Sequence, residues 1–225
     1  MIINPSKTKI IAINVPPPKI LLYNTEIEVV KDFSYLGSYI ASPEHDIKCR
    51  KGKAWSAFWM LKRIWNSNTP LKIKIDLFKS SVLSVLLYAS ETWVLNKHLN
   101  HLLNTFQNIC LRIILDIPCL DRVSNPEVGT RTNMCPLTYS VHERQLRFLG
   151  HSLRRPPDHI VNKYALYFPS HGQRNRGRPL VLYHQYIAEV LNSAILMSPE
   201  EIRRAAQDRD LWRRMIAAAC CRHPT

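Results

Sequence analysis

Apolar positions fall in two regimes along the chain. Up to residue 41 they come in short, loosely alternating runs: Lys9 to Val15 ahead of Pro16-Pro17-Pro18, then Lys19 to Tyr23 and Glu26 to Val30 joined at Asn24-Thr25, then Phe33 to Ile40. Short β-rich runs bounded by turn formers predict strands, and a polar pair between two such runs suits a tight hairpin. The opening therefore reads as a small antiparallel β unit.

From residue 42 the period changes. Ser42-Pro43-Glu44 supplies an N-cap, a proline for the first helical position and an acid for the first turn, and Ile47, Ala54, Ala57, Leu61 and Ile64 follow on one helical face. This predicts an amphipathic helix to Trp65. Thr69-Pro70 opens a second helix with Ile73, Leu77, Val82, Val85 and Tyr88 inward, and His98 to Asp116 forms a third through Leu99, Leu102, Phe106, Cys110 and Ile113. Beyond Cys119 the pattern predicts helix over Pro136 to Arg155, Leu180 to Asn192 and Ser198 to Cys220, with a loop-rich basic stretch from Pro156 to Pro179. The fold class expected is α+β: a small antiparallel unit, a helical bundle, and a basic, mostly helical C-terminal region.

Composition adds a partner class. The 225 residues are 46% hydrophobic and 21% charged, which excludes a wholly disordered or collagen-like chain. The net charge of +14 points to a polyanionic partner. Its chemistry changes along the chain: Met1 to Pro118 holds 12 Lys and 3 Arg, whereas Cys119 to Thr225 holds 1 Lys and 15 Arg. Arginine forks bind phosphate bidentately and stack on bases, while lysine acts as a point charge, so a boundary is expected near Pro118 to Asn125. No apolar stretch is long enough to span a bilayer and no secretory h-region opens the chain, so an intracellular protein, nuclear or cytoplasmic, with no membrane contact and reduced cysteines is expected.

Candidate chemistry follows the arginines. Gly150 to Arg155 and His171 to Pro179 hold Arg154, Arg155, Arg174, Arg176 and Arg178, a set suited to phosphate contacts or to a solvated basic face. Phe148, Tyr164, Tyr167, Phe168 and Tyr183 are interleaved with them, either as core or as stacking platforms for unpaired bases. Cys119, Cys135, His142 and His151 match no zinc spacing, so no metal is assigned. No G-x-S-x-G, H-E-x-x-H or P-loop is present, and no two aspartates stand adjacent.

A resemblance runs through nearly the whole chain. Asn4-Pro5-Ser6-Lys7-Thr8-Lys9, Phe33-Ser34-Tyr35-Leu36-Gly37-Ser38, Ser84 to Tyr88 with Glu91-Thr92-Trp93, Cys110 to Leu115, Gly150-His151 with Arg154-Arg155, Arg176 to Pro179, and Gln207-Asp208-Arg209 with Trp212-Arg213 resemble, in order and spacing, the reverse transcriptases of non-LTR (LINE-like) retrotransposons. The tail is most similar to the RTE-type endonuclease-reverse transcriptases.

The resemblance implies a set of roles. The match begins late in the palm, after the metal-binding aspartate motifs, so the RNA-directed DNA polymerase activity of the family, with its Mg²⁺, is not expected of this chain, and no catalytic residue or cofactor is assigned. Lys7 matches the late-palm lysine near the incoming nucleotide. Phe33, Tyr35, Leu36 and Gly37 match the primer-grip hairpin that positions the 3′ end. The organisation implied is a palm remnant over 1–41, a helical thumb over 42–118 and an Arg-rich nucleic-acid-binding region over 119–225. Thumb lysines Lys48, Lys51, Lys53, Lys62, Lys72, Lys74 and Lys79 would follow the backbone of a template-primer. Ala89 departs from the glycine usual after the tyrosine, and Tyr183 stands where a tryptophan is common. The expected activity is binding of RNA or DNA without polymerisation. A domesticated helical scaffold for protein partners and a relic without function are the alternatives.

Overall fold

The structure is a computed structural model that describes residues 3–12, 15–39, 42–118, 120–166, 183–191 and 197–220. It is a mainly helical α+β chain with two small antiparallel sheets. The chain divides into two compact units, Met1–Leu99 and Asn100–Thr225. Among the described residues, no helix is long and apolar enough to cross a membrane.

The first unit opens on a capped 3₁₀ turn, Pro5–Lys7, in which Asn4 Oδ1 accepts from the Ser6 amide at 3.0 Å. Strand β1 (Leu21–Leu22) pairs with β2 (Thr25–Glu26) across Tyr23-Asn24, whose φ values are 49° and 62°. Two left-handed central residues define the type I′ turn that matches the twist of a hairpin. The expected turn at Asn24-Thr25 is thus one residue late. A β-branched threonine is costly in left-handed backbone while asparagine tolerates it, so Thr25 enters the ladder.

The strand expected over Phe33 to Ile40 is, over its described residues 33–39, not one strand. It folds as a second hairpin, β3 (Ser34–Tyr35) against β4 (Ser38–Tyr39), turning through Leu36 and Gly37 at φ 49° and 82°. The strand expected over Lys9 to Val15 is reduced, among the described residues, to one bridge, Ile10 to Val29. The prolines at 16 to 18 offer no amide to prolong it.

Helix α1 (Pro43–Met60) begins as its N-terminal signals predict, with Ser42 Oγ accepting from the His45 amide. It buries Ile47, Ala54 and Phe58, and a short α2 (Lys62–Trp65) returns Trp65 to stack on Phe58 at 5.2 Å between ring centroids. The second predicted helix is composite: α3 (Leu71–Leu77), a wider i→i+5 segment over Phe78–Leu83, and α4 (Ser84–Leu86). The wider turn changes which residues face inward. Ile75, Phe78, Val82, Leu83 and Leu86 are buried, whereas the expected Ile73 and Tyr88 are exposed. Ala89 follows in the left-handed region at φ 59°, then a 3₁₀ turn, Ser90–Thr92.

Helix α5 (Lys97–Ile114) starts in the first unit and runs into the second, where it buries Leu103, Phe106, Cys110, Leu111 and Ile114. Two elements were not expected from the sequence: α6 (Asn125–Thr132), and α8 (Ile160–Ala165) inside the stretch read as loop. Between them lies α7 (Leu137–Leu153), followed by α9 (Tyr183–Val190), α10 (Pro199–Gln207) and α11 (Arg209–Cys220). The single helix expected over Ser198 to Cys220 is broken at Asp208, whose Oδ1 accepts from the Asp210 and Leu211 amides and so restarts the chain as an N-cap. Helices α7, α10 and α11 share a core of Leu146, Leu149, Leu153, Ile202, Trp212 and Ile216.

Candidate functional site

In the first unit the hairpin tip at Leu36-Gly37 stands out in solvent, with Tyr35 59% and Leu36 76% exposed and Phe33 half-buried. An exposed apolar tip is stable in one position only if its backbone is held, and three side chains hold it. Tyr88 Oη donates to Leu36 O at 2.9 Å, Arg50 Nη2 donates to Gly37 O, and the Arg50 guanidinium lies 4.2 Å from the Tyr88 ring centroid. Asp46, 1% exposed, completes the clamp: its Oδ1 accepts from the Tyr39 amide (3.2 Å), and its Oδ2 accepts from Ser38 Oγ (3.1 Å) and Trp93 Nε1 (2.8 Å). Arg50 Nε lies 3.9 Å from Asp46 Oδ1, an ion pair without a hydrogen bond at that nitrogen.

This network explains why Tyr88 and Trp93 stand where they do. Both reach back from the end of the composite helix to fix the hairpin and its supporting carboxylate. Gly37 is favoured by its φ of 82°, which side chains rarely adopt, whereas a Cβ there would make only ordinary contact with Arg50 Nη2 at 3.4 Å. Asp46 and Arg50 were not singled out from sequence. At i and i+4 on a helix they read as an ordinary surface pair, and nothing local marks them as buried.

The predicted lysines do not form one face. Lys48 and Lys51, three apart on α1, are neighbours on its surface, whereas Lys53 projects elsewhere and Lys62 belongs to α2. Lys48 Nζ lies 2.7 Å from Glu44 Oε1, and its hydrogen bond and charge hold the Glu44 carboxyl below the usual range. Lys74 is a correction: it is buried, and its Nζ donates to Trp65 O at 2.6 Å, so it closes α2 and is not free to meet a phosphate. Lys7 is exposed in its 3₁₀ turn.

In the second unit the quoted motifs meet at one joint. Trp212 Nε1 donates to Leu146 O at 2.9 Å with its ring against Gly150, Arg154 Nη1 donates to Ala206 O at 2.9 Å, and Gln207 Nε2 donates to Leu153 O at 2.8 Å. Asn162, buried, donates to Leu153 O and Arg155 O and accepts from Arg203. The carbonyls left over at the ends of α7 and α10 are thereby satisfied. Arg154 is half-buried in this joint, while Arg155 is exposed and donates from Nη1 to His159 Nε2 at 2.9 Å. Arg174, Arg176 and Arg178 lie outside the described residues.

Among the described residues, no three His, Cys, Asp or Glu side chains gather as metal ligands. Their one buried carboxylate, Asp46, is committed to Arg50, Ser38 and Trp93. These residues do not fit a magnesium centre for nucleotidyl transfer.

The chain is similar to a Caenorhabditis elegans protein named as an uncharacterized transposon-derived protein, with 26% identity over 188 residues, 78% of this chain and 67% of that protein. That likeness points to a transposon origin. No protein-family model matches the chain, and no solved structure matches it.

Proposed function

We propose that the chain is the C-terminal part of a retrotransposon reverse transcriptase, and that it binds RNA or a primer-template without extending it. The observation that carries this reading is the hairpin of Tyr35, Leu36 and Gly37: an exposed apolar tip whose backbone is held by Arg50 and Tyr88. Tyr35 and Leu36 stand side by side in solvent on a backbone fixed from below, and an apolar tip held in one position is a surface suited to contact with a partner. A terminal base pair offers an apolar face of matching size, and Lys48 and Lys51 stand on α1, the helix that carries Asp46 and Arg50, to meet phosphates. The transposon-derived relative supports the retrotransposon origin, and the +14 charge supports a polyanionic partner.

Binding of a labelled RNA-DNA primer-template, titrated with salt, tests this. The folded chain is expected to bind with a negative log-log salt slope, and Leu36→Asp to bind the primer end at least tenfold more weakly with unchanged folding. Primer extension by the purified chain in Mg²⁺ would refute the non-polymerising part. A folded chain that binds no oligonucleotide at low salt would overturn the proposal in favour of a helical scaffold for protein partners.

A further inference from the structure

The outward face of α7 carries Arg144, Arg147, Phe148 and His151, all exposed, with Arg155 just beyond its end. Residues three and four apart on a helix are surface neighbours, so this is a continuous stripe in which one aromatic ring stands among cations. Phe148 is 49% exposed, although the opposite face of the same helix buries four leucines, so the helix has no need of it for its core.

Beside the stripe runs an open groove of about 600 Å³ between α7 and α11, lined by Arg147, Arg154, Arg209 and Arg213 with Glu143 as its one carboxylate. Glu143 is taken by Arg147 at 2.6 Å, and Asp210 outside the groove meets Arg213 at 3.2 Å. Arg209 has no carboxylate partner among the described residues. Burial and the charges of Arg209 and Arg213 lower the Arg154 guanidinium from its ordinary value, so like charges converge there. Four arginines against these two acids leave the groove with an excess of positive charge, which favours anions.

We infer that this groove and the α7 stripe form a track for single-stranded nucleic acid, with Arg209 and Arg213 on successive phosphates and Phe148 stacked on an unpaired base. The inference rests on the nucleic-acid reading above but places a second contact surface in the second unit. Arginine forks suit phosphate, and a lone exposed ring suits any base, so the track is blind to sequence and to the 2′-hydroxyl. A duplex, with its bases stacked inside, would lose the Phe148 contact.

The experiment compares the full chain with Arg209→Gln/Arg213→Gln and with Phe148→Ala, all at exposed positions, by fluorescence anisotropy on single-stranded RNA, single-stranded DNA of the same sequence, and a blunt duplex. The double variant should bind single strands at least tenfold more weakly, with a log-log salt slope smaller in magnitude by about 1.4, at ~0.7 per phosphate contact. Phe148→Ala should weaken single-strand binding about tenfold and leave the slope unchanged. RNA and DNA should bind within a few-fold of each other, and both more tightly than the duplex. If the wild type binds nucleic acid but the double variant matches it in affinity and slope, the track is wrong while the proposed function stands. A Phe148→Ala variant that loses as much affinity for the blunt duplex as for single strands would also overturn the track. If the folded wild type binds none of the three, both readings fall.

Discussion

Trp212 packs its indole nitrogen against Gly150: a Cβ added at residue 150 would sit 2.2 Å from Trp212 Nε1 and 2.6 Å from Cδ1. The tryptophan cannot yield, because it is 2% exposed and its Nε1 is tied to Leu146 O. Glycine is normally a poor residue for the middle of a helix, and here it is what lets α11 approach α7.

Two glycine substitutions of opposite sign follow. Gly150→Ala gains about 1 kcal/mol of helix propensity but overpacks a rigid contact, at a gross cost of several kcal/mol, for a net loss of about 1–3 kcal/mol. At Gly52, on α1, an added Cβ would meet nothing within 4 Å, so Gly52→Ala should stabilise by about 0.5–1 kcal/mol. Urea denaturation of the two variants checks both. Equal signs would mean that the Trp212 contact is not what the geometry makes it.

Asp46 and Arg50 predict a coupled pair. Asp46→Ala leaves a nearly buried guanidinium without its carboxylate and strips acceptors from Trp93, Ser38 and Tyr39, a loss of about 3–5 kcal/mol. Adding Arg50→Met removes the stranded charge and should restore part of that loss, so the double variant is more stable than the sum of the two singles. A double-mutant cycle in urea measures this. Strict additivity would mean that the two side chains act independently on the hairpin.

What was legible in the sequence was what local chemistry decides. Ser42-Pro43-Glu44 located the start of α1, because a cap, a proline and an acid act within one turn. The same signal at Ser124-Asn125-Pro126-Glu127 marks α6, where Ser124 Oγ accepts from the Glu127 amide, but no apolar period accompanies it there to announce a helix. The i→i+5 segment at Phe78–Leu83 was not legible, since it is a tertiary adjustment that turns Phe78 and Leu83 inward without a local breaker. Nor was the burial of Lys74, Asp46 and Arg50, because each is paired by partners distant in sequence or by a carbonyl that only the folded chain presents. The motif residues Tyr88, Gly150 and Trp212 were visible as motifs, but their work as clamps and joints required the fold.

Ala89 offers a stabilising change. Its φ of 59° places an L-residue with a Cβ in left-handed backbone, between Tyr88, which holds the hairpin, and the turn that carries Trp93. Relief of about 1–2 kcal/mol of strain by Ala89→Gly is partly offset by the extra freedom of glycine in the unfolded chain, for a net gain of about 0.5–1 kcal/mol. A rise in the urea midpoint checks this, and a fall would mean that Ala89 makes a compensating contact through its methyl group.

His142 makes stability depend on pH in a defined window. It is half-buried on α7, edge-on to Tyr186 at 6.4 Å between ring centroids, and burial lowers its imidazole from the ordinary 6.5. The native state therefore holds a neutral ring where the unfolded chain takes up a proton, and the unfolded state binds more protons as pH falls past about 6.5. This contribution is complete above that pH and is lost as the solution is acidified toward the folded value, with a slope of at most about 1.4 kcal/mol per pH unit. Glu201, held low chiefly by the Ser198 amide, and Asp208, held low chiefly by the Leu211 amide, act in the same direction but near pH 4 and below, so the windows separate. Urea midpoints at pH 7.5, 6.0 and 5.0 should fall for the wild type and fall less for His142→Phe, which keeps the edge contact with Tyr186 without a titrating nitrogen. Parallel declines in the two proteins would assign the pH dependence to other groups.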